Sequence, residues 1–229
     1  MSKTLLTAHS GCDGTKDNSM AFVSYALALA VDCIEADIRR DGKGTLVLAH
    51  DEGPACAALR EAFSMLAAHP GKKLNCDLKQ EGLELDVWTL ARQMGVDGQI
   101  LFSGTVSHDA AKEEPALFER VDWFVNIELL FPRIRTLGLA AAVEALGAPF
   151  MAEELQAFMS MHKARCVNAH HAIASTPLYG ELMERKIPVS LWTPDDEQTI
   201  LRFWKDGVYN ITTRNARRAC EITGKTHGA

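Results

Sequence analysis

The sequence predicts a single-domain parallel (β/α)8 barrel, and three observations carry that prediction. Short apolar runs of strand length alternate with amphipathic stretches of helix length about eight times along 229 residues, the rhythm of a closed parallel sheet wrapped by helices. Titratable residues stand at the ends of several strand-like runs, where such barrels build their sites. No G-x-G-x-x-G follows the first strand, which argues against the doubly wound open sheet that the same rhythm allows.

The elements justify themselves in order. Leu5 to His9 reads as a strand and Ser10 to Lys16 as a polar loop; a helix is expected from Asp17 or Asn18 through Leu29. Cys33 to Ile38 alternates as a strand does, and the turn-rich Arg40-Asp41-Gly42-Lys43-Gly44 leads into a second apolar run, Leu46 to Ala49, that ends in His50-Asp51. A helix from about Leu59 to Ala68 stops at His69-Pro70-Gly71, Lys73 to Lys79 is the next strand, and Leu83 to Met94 the next helix. Strands are then expected at Gln99 to Ser103, Trp123 to Glu128, Arg165 to His170, Pro188 to Thr193 and Val208 to Thr213. Helices lie between them, most clearly Glu153 to His162 and Glu197 to Lys205. Thr105 to Pro115 and Phe131 to Leu139 are left as loops able to cover the barrel mouth.

Composition narrows the function. At 47% hydrophobic and 24% charged, the chain has ample material for a core. A net charge of −6 argues against a general nucleic-acid binder, which needs a basic face against phosphates, but leaves a small phosphate-bearing substrate open. The first apolar run is too short for a signal peptide and none reaches the ~20 residues of a membrane span, so a cytoplasmic location is expected. Six cysteines, Cys12, Cys33, Cys56, Cys76, Cys166 and Cys220, are far apart with no C-x-x-C pair, which favours reduced thiols over zinc or disulfides. Cys33, Cys76 and Cys166 read as small core residues, as do Met159 and Met161; His69, His108, His162 and His227 read as solvated.

The chemistry concentrates between Cys33 and Asp51. Strand alternation puts Glu35 and Asp37 on one face and Ile34, Ala36 and Ile38 on the other. Carboxylates at alternate positions, roughly 6 to 7 Å apart, repel unless a cation or proton sits between them. Oxygen ligands suit one hard divalent ion, Mg²⁺ or Ca²⁺, and leave a neighbouring histidine free for acid–base work. His9, His50, Asp77 and Lys79 also close strand-like runs, and the set fits metal-assisted chemistry on a phosphate or carbonyl.

These residues resemble the glycerophosphodiester phosphodiesterases of the phosphatidylinositol-phospholipase-C-like barrel group. The family pattern runs H-R-G, P-E-N-T, G-A-D-x-I-E-x-D-V, T-x-D-G, V-x-H-D and E-x-K. Here it reads His9-Ser10-Gly11, Lys16-Asp17-Asn18-Ser19, Val31 through Ile38, Arg40-Asp41-Gly42, Leu48 through Asp51 and Asp77-Leu78-Lys79. Val189 to Thr193 is similar to its V-x-x-W-T strand and Asp206 to Thr213 to its closing D-G-V-D-G-I-x-T-D. The resemblance implies that Glu35, Asp37 and Asp77 hold one divalent cation, that His9 and His50 are the acid–base pair, and that Lys79 and Asn18 contact the phosphate or its metal. Ser10 and Trp192 are further candidates for contact with substrate, and strand-end position adds His170, His171 and Asn168 on the sixth strand and Glu128 on the fifth, each weighed against a structural role.

Three departures bear on the reaction. Ser10 replaces the family's phosphate-clamping Arg, Asp77 replaces Glu in an arrangement more similar to the sphingomyelinase-D-like branch, and the chain between His50 and Asp77 is too short for the usual cap. Hydrolysis of a small phosphodiester substrate to an alcohol and glycerol 3-phosphate is expected. A lyase giving a cyclic phosphate and a phosphodiester-binding homologue without turnover stay open.

Overall fold

Eight parallel strands close on themselves. The computed structural model describes residues 4–53, 57–107 and 114–226, and its sheet runs in the order β1 (Leu5–Ala8), β10 (Asn210–Thr213), β9 (Val189–Trp192), β8 (Cys166–His170), β7 (Asp122–Asn126), β6 (Ile100–Gly104), β5 (Lys73–Leu78), β2 (Cys33–Arg40). The β1–β2 pairing, Thr7 opposite Cys33 and Ala8 opposite Ile34, completes the ring. The strands that close it are those expected from the sequence, within a few residues at each end. The apolar run after the glycine turn differs: β3 (Leu46–Leu48) is antiparallel to β2 and β4 (Ala57–Ala58) antiparallel to β3, so the pair is an annex outside the ring.

Alternation sorts the side chains into two cores. Outward-facing Leu6, Ile34, Ala36, Ile38, Leu74 and Cys76 belong to a large cluster with helix residues such as Phe22, Phe63, Val87 and Leu155. Inward-facing Cys33, Leu101, Phe124 and Cys166 form a smaller plug, against which Tyr209 packs. Each buried Leu, Ile or Phe contributes about 1.5–3 kcal/mol relative to an exposed one. Above the plug the interior turns polar: Thr7 donates to Asn210 Oδ1 at 2.7 Å, and Asn210 donates to Ser190 Oγ and Thr212 Oγ1, both at 3.0 Å. Hydrogen bonds between neighbouring strands thus pair these polar groups where burial would otherwise penalise them. The described free cysteines are all buried, as expected for the three on strands; Cys56 lies outside the described residues.

Local chemistry shifts several boundaries. The first helix, α1 (Met20–Leu27), starts later than expected because Asn18 is left-handed (φ 52°) and Ser19 is the cap, its hydroxyl accepting from Phe22 N at 3.1 Å. Helix 197–206 keeps its expected start, capped by Asp196 accepting from Thr199 N at 2.9 Å, and stops at left-handed Gly207. The strand expected to reach Glu128 ends at Asn126, and Ile127–Leu130 turns helical. Phe131 to Leu139 is not an open loop: Arg133–Leu137 is helical and another helix begins at Leu139. Residues 108–113 of the other expected loop lie outside the described residues.

Two residue assignments are corrected. His162 is buried, stacked on Phe158 with ring centroids 4.3 Å apart, and its carbonyl accepts from Trp123 Nε1 at 3.1 Å, because the last turn of helix 148–162 folds onto the sheet. Met161, on the opposite side of that turn, is 72% exposed, whereas Met159 packs against the core. His69 is half-buried, its Nδ1 3.0 Å from the Met65 carbonyl. His108 and His227 lie outside the described residues.

Candidate active site

The catalytic candidates converge because the barrel register aligns them. Glu35 pairs with Asn75 and Asp37 with Asp77 across β2 and β5, and Asp77 with Ser103 across β5 and β6. Carboxylate oxygens of Glu35, Asp37 and Asp77 all lie within 4.8 Å of one another. They face a cavity of about 400 Å³ at the C-terminal ends of the strands, lined also by His9, His50, Lys79, Asn126, Asn168, Trp192, Thr212 and Arg214. That volume suits a small-molecule ligand.

Two buried carboxylates, Glu35 and Asp37, and a half-buried third, Asp77, need compensation together, and the chain provides it. Lys79 Nζ is 2.8 Å from Asp37 Oδ1 and also bonds Asp77 Oδ2. Burial pulls its pKa down, but the Asp77 and Asp37 charges outweigh that and hold it above the ordinary lysine range. Ser103 donates to Asp77 Oδ1 at 2.6 Å. Asn18 grips Asp37 twice: its Nδ2 donates to Oδ2 at 2.7 Å, and its Oδ1 accepts from the Asp37 amide at 3.0 Å. Glu35, the deepest of the three, accepts only the Ser10 amide, at 3.1 Å, among the described residues and faces His9 Nδ1 at 3.8 Å. Burial pushes its pKa up to about 7; the His9 charge opposes this and Asp37 and Asp77 add to it. A hard cation fits here on chemistry alone: three carboxylates with an ammonium already bridging two of them form an oxygen-only cradle for Mg²⁺ or Ca²⁺. The Asn75 side-chain oxygen, buried beside Glu35, has no hydrogen-bond partner among the described residues and adds a neutral acceptor to the cavity wall.

The two histidines share the cavity but differ in setting. His9 follows β1, with Nδ1 2.8 Å from the Ser10 carbonyl. A carbonyl only accepts, so Nδ1 carries the proton and neutral His9 offers Nε2 as its lone pair. His50 is brought back to the mouth by the antiparallel turn, in which the Ala49 amide donates to the Asp37 carbonyl at 2.9 Å. Its side chain is 65% exposed, with Nδ1 3.1 Å from Asp51 Oδ2. Trp192 lines the cavity, and His170 meets it edge to face at 5.1 Å.

Other expected contacts are placed elsewhere. Ser10 is fully buried beneath the mouth and does not line the cavity: its hydroxyl accepts from the Asn18 amide at 2.6 Å and donates to Asn18 Oδ1 at 3.2 Å. His171 lies against His170 at 4.4 Å. Glu128 sits on the helical turn after β7, its pKa raised by burial, away from the cavity lining. Asn168 does line the cavity, donating to Asn126 Oδ1 at 2.8 Å. Asn75, Ser103, Asn126, Thr212, Asp17 and Arg214 were not anticipated. Period-two alternation back from Asp77 reaches Asn75, but nothing local marks the others.

No protein-family profile and no curated protein matches the sequence; solved structures do. A chain from Agrobacterium tumefaciens named as a glycerophosphoryl diester phosphodiesterase superposes with a TM-score of 0.74 at 14% identity, covering 97% of this chain and 98% of that one. The glycerophosphodiester phosphodiesterase of Thermotoga maritima gives 0.69 at 12%, covering 97% and 99%. A phosphodiesterase of Oleispira antarctica, solved with its product sn-glycerol-3-phosphate, gives 0.69 at 16%, covering 97% of each. The chain has the fold of the glycerophosphodiester phosphodiesterases. In this glycerophosphodiesterase-like barrel the carboxylates, Lys79 and both histidines stand at the end of the ring where barrel enzymes place their chemistry.

Proposed function

We propose that the chain is a metal-dependent phosphodiesterase of the glycerophosphodiester phosphodiesterase family, cleaving a small glycerophosphodiester to an alcohol and glycerol 3-phosphate. The observation that carries this is the three-carboxylate cradle of Glu35, Asp37 and Asp77 with His9 and His50 lining the same cavity. Glu35, Asp37 and Asp77 would hold one Mg²⁺ or Ca²⁺, which when bound supplies positive charge to the phosphate oxygens as charge builds on them.

The remaining work belongs to side chains. His9, its tautomer set by the Ser10 carbonyl, accepts through Nε2 the proton of an attacking water. The P–O bond to the alcohol breaks as the water oxygen bonds to phosphorus, and His50 gives its proton to the departing oxygen. The Asp51 carboxylate steadies the His50 Nδ1 proton, leaving Nε2 for transfer. Lys79 keeps Asp37 and Asp77 in place and adds fixed positive charge to the wall. Trp192 packs an apolar face against the alcohol or glycerol moiety.

Absence of any helix long and apolar enough to cross a membrane among the described residues, together with buried unpaired thiols, supports the cytoplasmic assignment. The test is alcohol release from glycerophosphocholine and glycerophosphoethanolamine, with and without Mg²⁺ or Ca²⁺, for wild type beside His9→Ala and His50→Ala. Metal-dependent turnover falling about 100-fold or more in each variant is the expected result. A cyclic phosphate in the phosphorus NMR spectrum would instead identify a lyase, and inert wild type that still binds metal a binding protein.

A further inference from the structure

Among the described residues, the cavity wall carries two side chains of permanent positive charge, Lys79 and Arg214. Lys79 is committed to Asp37 and Asp77. We propose that Arg214 is the group that grips the substrate's phosphate, supplying from the end of the last strand the guanidinium that position 10 lacks. This deepens the phosphodiester reading above and rests on it.

Four observations support Arg214. Its donors are available: Nη1 and Nη2 fork onto Asp17 Oδ1 and Oδ2 at 3.1 and 3.3 Å, using two of five N–H groups, and the other three have no acceptor among the described residues. Its backbone is pinned without the side chain, since the Arg214 amide donates to Asp195 Oδ1 at 2.8 Å and its carbonyl accepts the Asp13 amide at 2.7 Å. It starts beside the catalytic candidate, because the preceding carbonyl, of Thr213, accepts the His9 amide at 2.9 Å. Finally, the chain makes room for it at Gly11. A Cβ there would lie 1.6 Å from Asp17 Oδ1 and 3.1 Å from Arg214 Nη1, so the ion pair rests directly on this left-handed glycine (φ 77°).

The pairing with Asp17 does not compete seriously with a phosphate. Both partners are about half exposed, and exposed pairs are worth little in water. Asp17 therefore aims the guanidinium without consuming it, and a phosphodiester monoanion can accept the remaining N–H groups in the two-pronged manner arginine favours. Ser10 offers no competing clamp, being buried and spent on Asn18.

The test is calorimetric titration of sn-glycerol 3-phosphate and of inorganic phosphate, in saturating Mg²⁺, into wild type, Arg214→Ala, Arg214→Lys and Asp17→Asn, with free glycerol as the uncharged control. Arg214→Ala is expected to lose about 10- to 100-fold in affinity for both phosphates, the range for a charged hydrogen-bonded contact, with Mg²⁺ affinity in the absence of phosphate unchanged. Arg214→Lys should fall between, keeping charge but not the fork. Asp17→Asn should stay within a few-fold of wild type, whereas a merely structural ion pair would make it fail as badly as Arg214→Ala. Equal losses in those two variants, or phosphate binding by Arg214→Ala as tight as wild type, would overturn the role of Arg214 alone. Wild type that binds neither phosphate in Mg²⁺ would overturn the phosphodiester reading with it.

Discussion

Acidification should strip the cation from this site, and Glu35 sets where. Burial holds its pKa at about 7 against an ordinary 4.5, so below pH 7 a cation must displace a proton to use this carboxylate. Lys79 contributes no such proton, because Asp77 and Asp37 keep it charged throughout this range. Glu35 becomes increasingly protonated as the pH falls below about 7, so Mg²⁺ affinity should drop by roughly tenfold or more between pH 7 and pH 5. Without metal the dependence has the opposite sense. A carboxyl whose folded pKa is raised contributes stability that is fully present below its unfolded value of 4.5 and is lost as pH rises through about 7. The metal-free protein should therefore be more stable at pH 4.5 than at pH 8 as far as this group decides. Isothermal titration of Mg²⁺ at pH 6 in two buffers of different ionisation enthalpy should register close to one proton released per ion. Glu35→Gln should bind Mg²⁺ weakly, and its affinity should be flat with pH. Wild-type affinity that is flat from pH 5 to 8, or binding without proton release, would refute the assignment of Glu35 as a buried, protonated ligand.

Three further perturbations test the supporting frame. Lys79→Met leaves Asp37 and Asp77 facing each other without their ammonium; chemical denaturation should show a loss of about 3 kcal/mol in metal-free protein, largely restored by excess Mg²⁺. Asn18→Ala removes both bonds to Asp37 and puts at φ 52° a residue that tolerates the left-handed region less well than asparagine does, for about 2 kcal/mol of destabilisation, whereas Asn18→Gly relieves the backbone and should recover part of that loss but none of the lost metal affinity. Gly104→Ala forces a Cβ to within 2.3 Å of the Leu78 carbonyl and 2.8 Å of Asp77 Oδ1 at φ 81°, so thermal melts should drop steeply, by about 3 kcal/mol or more in stability, and Mg²⁺ binding should weaken together with them.

What was legible in the sequence follows from the range of each interaction. Strand alternation is a property of adjacent residues, so Glu35 and Asp37 could be placed together on one strand face before any fold was known, and β2 turns that face toward the cavity. The hairpin annex was harder to see. Leu46 to Leu48 is as apolar as a ring strand, and only its antiparallel pairing to Ile38–Arg40 excludes it from the ring, a matter of turn geometry and not of composition. Met161 and His162 show the limit of helix patterning: adjacent on the last turn, one is exposed and the other buried against Phe158, because the face a helix turns inward is decided by what it packs on.

The phosphate contact proposed for Arg214 lay beyond local reading for the same reason. A missing arginine at position 10 reads as a lost function only while position 10 is considered alone. The barrel closes β1 against β10, pairing Ala8 with Thr213, and so brings residues just after the first strand beside residues just after the last. Asp17 and Arg214, 197 positions apart, thereby meet over Gly11. In a closed sheet a charge dropped from one strand end can be resupplied by its ring neighbour without moving any backbone, since adjacent strand ends face the same cavity. Strand-end residues of such barrels are therefore better compared by their neighbours around the ring than by their neighbours in sequence, and by that comparison the Ser10 substitution leaves the site with a guanidinium still at its rim.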